Sequence, residues 1–136
     1  MTGERDLQVL LSALQPVQRP GAFVYSTVDE LPVGLHPVVT VREDEGVTLV
    51  VEQSEADRRG LRYEYVGAMI TLRVPSALEA VGLTAAVAQA LTEHGISCNV
   101  VAGYFHDHLF VPHEPAKEAV DVLMALTHSA RERDGS

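Results

Sequence analysis

Between residues 64 and 127 the hydrophobic period of the chain switches repeatedly between strand and helix spacing, and most switches fall on a proline or a glycine. EYVGAMITLRV (64–74) alternates as a long strand does, with Ile70, Leu72 and Val74 on one side and Thr71 and Arg73 on the other. Pro75 ends it. Leu83, Val87, Ala90 and Leu91 then recur at helical spacing, and Gly95 closes that helix. Strands are expected over 96–103 and 107–112. Pro115 opens a last helix at a favourable first-turn position, with Ala116, Val120, Leu123, Met124 and Thr127 as its inner stripe. Residues 131–136 read as a frayed tail. The order is strand, helix, strand, strand, helix, a split βαβ unit of the ferredoxin-like kind without its final strand.

The preceding residues supply elements of the same sort. Leu7, Leu10, Leu11 and Leu14 predict a short amphipathic helix over 5–14, stopped by Pro16. AFVYSTV (22–28) reads as a strand and DELPVGLHP (29–37) as a loop. VVTVR (38–42) and VTLVVE (47–52) form a hairpin through Glu43-Asp44-Glu45-Gly46, with Gly46 where a positive φ is needed. Ser54 starts a brief helix, with Asp57 as its capping-box partner and Gly60 as its stop. One strand of this first part is free to complete the sheet of the second. No clean sequence repeat relates the two parts, so two interleaved α/β sandwiches rest on element order alone.

Composition excludes several classes of function. The chain has 136 residues and a formal net charge of -9, with Lys117 its only lysine. Phosphate backbones and anionic membranes repel such a protein, so neither nucleic acid nor a membrane is an expected partner. No stretch approaches the roughly 20 apolar residues of a membrane span. MTGERDLQVLLSAL lacks the basic start and apolar run of a secretion signal, and Cys98 stands alone; both point to the cytoplasm. No nucleophile elbow, Cys-His arrangement, Gly-rich phosphate loop or HExxH is present, so no catalytic residue, cofactor or resident metal is assigned.

Two features could recognise a small molecule. The loop Pro75–Gly82 delivers the chain to the Leu83 helix, whose first backbone N–H groups have no partners inside the helix and suit an anion. Ser76 and Glu79 could equally form an ordinary capping box there. Asp107 is the sharper feature, because it shares a strand face with Leu109 and Val111, whereas His106, His108 and Phe110 occupy the other face. A carboxylate beside aliphatic side chains is costly unless it is paired. Turn amides at Gly103–Phe105, or the ammonium or guanidinium of a ligand, would satisfy it. Donors at the helix start and acceptors at Asp107 together suit a zwitterionic amino acid. His106 and His108 stand at a spacing that can chelate a metal, with Cys98 on another strand, but solvent-facing or packed histidines account for the pattern as well.

LEAVGLTAAVAQALTEHGISCNVVAGYFHDHLFVP resembles the ACT-domain superfamily, most of all small stand-alone bacterial ACT proteins. REDEGVTLVVE (42–52) and the strand ending ITLRVPSALEAVGLTAA add to the likeness, which covers residues 5–127 and is more specific in the second half. The "HGIS" at the helix end is the usual signature. The ending at Asp107 to Pro112 is similar to that of the cytosolic arginine sensors built from repeated ACT units. The resemblance implies an α+β, ferredoxin-like architecture: two ACT-like halves, 1–62 and 63–136, with antiparallel sheets covered by helices. The first half would supply the final strand of the second. It implies a regulatory protein that binds an amino acid, pairs side by side as a homodimer, and is not an enzyme. A ligand-free interaction or dimerisation module is the alternative. Carried onto this chain, the ligand-binding positions are Ala77, Ala80, Val81, Gly82 and Leu83 in the loop, and Gly103, Tyr104 and Asp107 in the hairpin. Asp107 matches the sensors' aspartate, which meets the ligand's basic side chain. Ala80 stands where the sensors carry an acid, which here lies one place earlier, at Glu79.

Overall fold

A computed structural model describes residues 3–73 and 82–133. The elements are α1 (Gly3–Ser12), β1 (Gln15–Gln18), β2 (Phe23–Val28), β3 (Val39–Glu43), β4 (Gly46–Glu52), α2 (Gln53–Arg59), β5 (Val66–Arg73), α3 (Leu83–Glu93), β6 (Asn99–Ala102), β7 (Asp107–Pro112) and α4 (Ala116–Arg133). The seven strands make one sheet, ordered β3-β4-β2-β5-β7-β6, with β1 also paired to β5. Every pairing is antiparallel. The architecture is α+β and ferredoxin-like, and the sheets of its two halves are continuous through β5.

β5 joins the halves by sharing one of its edges. Val66 and Gly67 pair with Val24 and Phe23 of β2, while Ile70 to Arg73 pair with Gln18 to Gln15 of β1. Its other edge pairs with β7 from Gly67↔Pro112 to Leu72↔Asp107. β1-β5-β7-β6 is therefore a complete four-stranded ferredoxin-like sheet whose closing strand comes from the start of the chain.

The register places all the helix-packed residues on one face. Val24 lies opposite Val66, which shares the parity of Ala68, Ile70 and Leu72. Over β5 and β7 this face carries the main core, where Ile70, Leu72, Leu109 and Val111 meet Leu11 of α1, Leu83, Val87 and Leu91 of α3, and Leu123 of α4. Over β2 and β4, Val24, Leu49 and Val51 meet Ala56 of α2 and Leu35 of the β2–β3 loop. Among the described residues no helix covers the opposite face, yet Phe23, Val50, Met69 and Phe110 are buried there. Aromatic packing seals it: the Phe110 ring lies 6.4 Å from Phe23 and 5.7 Å from Tyr25, both edge-on.

Four local expectations are corrected. β1 falls in residues expected to do no more than end a helix; the free edge of β5 recruits it despite Pro16. The Ser54–Asp57 capping box does not form. Glu52 is the N-cap, with no side-chain cap bond, and Asp57 instead accepts a 2.6 Å hydrogen bond from Tyr63 Oη. Gly60 does stop α2, in the left-handed conformation at φ 67°. α4 continues through Arg133 rather than fraying from 131, because Arg131 Nε donates to Ser12 O at 2.9 Å and Arg133 Nε donates to Gln8 Oε1 at 3.1 Å. Its inner stripe uses Ala116, Ala119, Val122, Leu123, Thr127 and Ala130, leaving Met124 47% exposed.

Phe110→Ala should lower unfolding free energy by about 3–5 kcal/mol, and Met124→Ala by no more than about 0.5 kcal/mol, in denaturant titrations. The reverse order would contradict this placement of the core.

Candidate ligand-binding site

β5, β7 and β6 bring Leu72, Asp107 and Ala102 side by side at one end of the sheet. From that end the chain leaves β5 for α3. Asp107 is 3% exposed, with Leu109 and Val111 further along the same face. Burial pushes its carboxyl above the ordinary aspartate value, and neighbouring His108 opposes the rise. This is the buried, costly acid that strand alternation implies.

The tight turn before Asp107 is built around Gly103. Its N–H donates to His106 O at 2.8 Å, so this amide is not directed at Asp107. A Cβ on Gly103 would stand 2.8 Å from His106 O and 3.1 Å from His108 Nε2, so the turn has no room for a side chain. Tyr104 projects from it at 79% exposure, its ring edge-on to exposed Phe105 at 5.0 Å.

On the helix side, Gly82 is the N-cap of α3 at φ 85°, with no side-chain cap bond and no acidic residue in the first turn. A non-glycine residue would be strained in that conformation. A Cβ there would meet Leu7 of α1 at 3.4 Å, so Gly82 also sets the spacing of the two helices. Leu83 is 1% exposed within the main core. Its side chain is structural, which leaves its backbone as the part a ligand could use. Ala77, Ala80 and Val81, with Ser76 and Glu79, lie outside the described residues.

His108 lies on the other face of β7 from Asp107. His108 Nδ1 is 3.1 Å from Thr71 Oγ1 on the helix-free face, and burial, His106 and Arg19 all lower its pKa. His106 Nδ1 is buried with no hydrogen-bond partner among the described residues. No group of three or more His, Cys, Asp or Glu side chains is arranged to hold a metal ion among the described residues. Cys98 packs against the main core, and burial pushes its thiol up to about 11. Sequence reasoning missed the Thr71–His108 contact, because the register that joins two strands is not written in either one.

Two ACT-domain family models match the chain, over residues 2–68 and 64–125. The chain belongs to the ACT-domain family. ACT domains are regulatory modules that bind small molecules, often amino acids, and often oligomerise. A protein of unknown function from Vibrio cholerae, described as a possible transport protein, is 44% identical; the match covers 93% of this ACT chain and 99% of that one, with a TM-score of 0.84. A protein from Agrobacterium tumefaciens is 21% identical over 84% of this chain and 89% of its own, with a TM-score of 0.64. The regulatory subunit of aspartate kinase from Thermus thermophilus shares the fold at 11% identity and TM-score 0.61, over 85% of this chain and 95% of that one. No curated protein matches the chain. Among the described residues, no helix is long and apolar enough to cross a membrane.

Burial of Asp107 at this end of the sheet, and of Cys98 beyond the far end of β6, can each be measured. Carboxyl NMR titration should place Asp107 above the usual carboxylate range. A raised folded pKa means the protonated form stabilises the fold. That stability is fully present below the ordinary value near 3.8 and is lost as pH rises through the folded value. Asp107→Asn should remove this part of the pH dependence, and an unchanged stability profile would contradict it. With its pKa near 11, Cys98 should alkylate at pH 8 about a thousandfold more slowly than a fully ionised thiolate, read by mass spectrometry.

Proposed function

We propose that this chain is a cytoplasmic sensor that binds a free amino acid and passes on the bound state by associating with itself as a homodimer or with a partner. The single observation carrying this reading is Asp107, an acid 3% exposed on an aliphatic face at the sheet end from which the chain departs for α3. A ligand ammonium or guanidinium beside it would offset the cost of its burial. The uncapped start of α3 at Gly82 would supply N–H donors to the ligand carboxylate. The site we propose comprises Ala77, Ala80, Val81, Gly82 and Leu83 on one side and Gly103, Tyr104 and Asp107 on the other, with Leu83 contributing backbone only. The boundary we propose between the halves is 62/63. A kinship with stand-alone bacterial ACT proteins and arginine sensors agrees with Asp107, while Ala80 argues against arginine as the ligand.

A pure dimerisation module is favoured by a different observation. Tyr104 and Phe105 are 79% and 72% exposed beside β6, an edge strand that carries no charge or proline.

A thermal-shift screen of the twenty amino acids separates the two. A true ligand at a hundredfold excess over its dissociation constant stabilises the fold by about 2.7 kcal/mol, a rise of roughly 5–20 °C in Tm. Asp107→Ala should abolish the response while the variant stays folded by circular dichroism. No shift with any amino acid at millimolar concentration, together with dimers in light scattering that Tyr104→Ser/Phe105→Ser dissociates, would replace the sensor reading with the module.

A further inference from the structure

The two halves share a strand-pairing plan, but one helix has no counterpart. In the second half β5, β7 and β6 are neighbours in that order; in the first half β2, β4 and β3 are. α4 follows β7 as α2 follows β4. Between β5 and β6 stands α3, an 11-residue helix whose Leu83, Val87 and Leu91 enter the core that Val100 of β6 packs against. Between β2 and β3 there is no helix, and from this loop Leu35, 4% exposed, reaches the helix-packed face. Thr40 and Arg42 lie on that face, opposite Leu49 and Val47, and both are exposed.

We propose that this open face of the first half docks a short basic amphipathic helix of another protein, in the place that α3 occupies in the second half. The surface is built for insertion. Two cavities, of about 370 and 350 Å³, flank the loop; Val47 helps line one and Val51 the other. The loop is an ordered shelf between them. Leu35 N–H donates to Pro32 O at 3.2 Å, Gly34 takes φ 82°, and Arg59 Nη1 donates to Val33 O at 3.0 Å. That shelf holds Val33 at 96% exposure, with Leu31 at 47% on one side and Val38 at 39% on the other.

Charge selects the occupant. Asp29 and Glu30 line the larger cavity, with Arg42 as its cation. The acidic turn Glu43-Asp44-Glu45 sits alongside, since a Cβ on Gly46 would stand 2.9 Å from Val28 O at the end of β2. A second copy, itself carrying -9, is disfavoured at this rim, whereas Lys and Arg flanking an apolar stripe would match it. This inference is independent of the amino-acid site.

The test uses the full ¹⁵N-labelled chain and three synthetic peptides of three to four helical turns: an amphipathic Leu/Lys peptide, its Leu/Glu counterpart, and a scrambled Leu/Lys peptide. The amphipathic Leu/Lys peptide should shift the amides of residues 29–42 saturably. Its affinity should fall several-fold from about 50 to about 200 mM salt. The other two should bind at least about tenfold more weakly. Leu31→Ser/Val33→Ser should weaken the Leu/Lys peptide about tenfold and Asp29→Asn/Glu30→Gln severalfold, with Tm and circular dichroism unchanged because all four residues are exposed. Equal binding of the scrambled peptide, shifts outside 29–42, indifference to Leu31→Ser/Val33→Ser, or no binding at millimolar peptide would each overturn the proposal. Self-association abolished by Leu31→Ser/Val33→Ser, without peptide binding, would give the surface to a second copy and overturn it too.

Discussion

The hydrogen-bonding of β5 is the constraint on which the rest of the molecule depends. Most strands in a sheet have one neighbour per edge. β5 has β7 on one edge and, on the other, β2 at Val66–Gly67 followed by β1 at Ile70–Arg73. Each half would otherwise end in an unpaired central strand, and an open row of N–H and C=O groups invites aggregation. Sharing the strand satisfies both halves and makes their cores neighbours on one face. It also makes the two halves mechanically inseparable, since a shift in β5 is felt by β2 and by β7 alike.

The candidate site inherits its character from this arrangement. β5 and β7 are covered by α1, α3 and α4, so any residue on that face is in a dry layer, including one at the strand end. Asp107 is such a residue. Its cross-strand partners are Leu72 and Ala102, aliphatics lie further along the same face, and desolvation is the largest influence on its carboxyl. A charge held in so dry a place responds strongly to whatever cation approaches, which is the physical basis for using it in recognition. His108, on the opposite face, contacts Thr71 and only partly offsets the effect of burial on Asp107.

Much of this was legible in the sequence where information is local. Strand alternation placed Asp107 with Leu109 and Val111, and helical spacing found α3 with its core residues. What the sequence hid was set by distant partners. Gln15-Pro16-Val17-Gln18 has no strand-like alternation, and only the vacant edge of β5 makes it β1. Ser54 and Asp57 have the spacing of a capping box, but Tyr63 takes the carboxylate first. Arg131 and Arg133 look like a loose basic tail until α1 offers them acceptors. The helix without a counterpart between β2 and β3 was invisible for another reason: a loop sequence says what it forms, not what its fold-mate has in the same place.

The partnership of α1 and β1 with the second half also shapes how the protein can be made. The bonds from α4 to α1 span 119 and 125 residues of sequence. α1 therefore waits for α4 to be synthesised, and until then its leucine face lacks part of its cover. Such non-local closure is slow relative to helix formation. Until α4 is made, the apolar surface of α1 that it covers is open to chaperones.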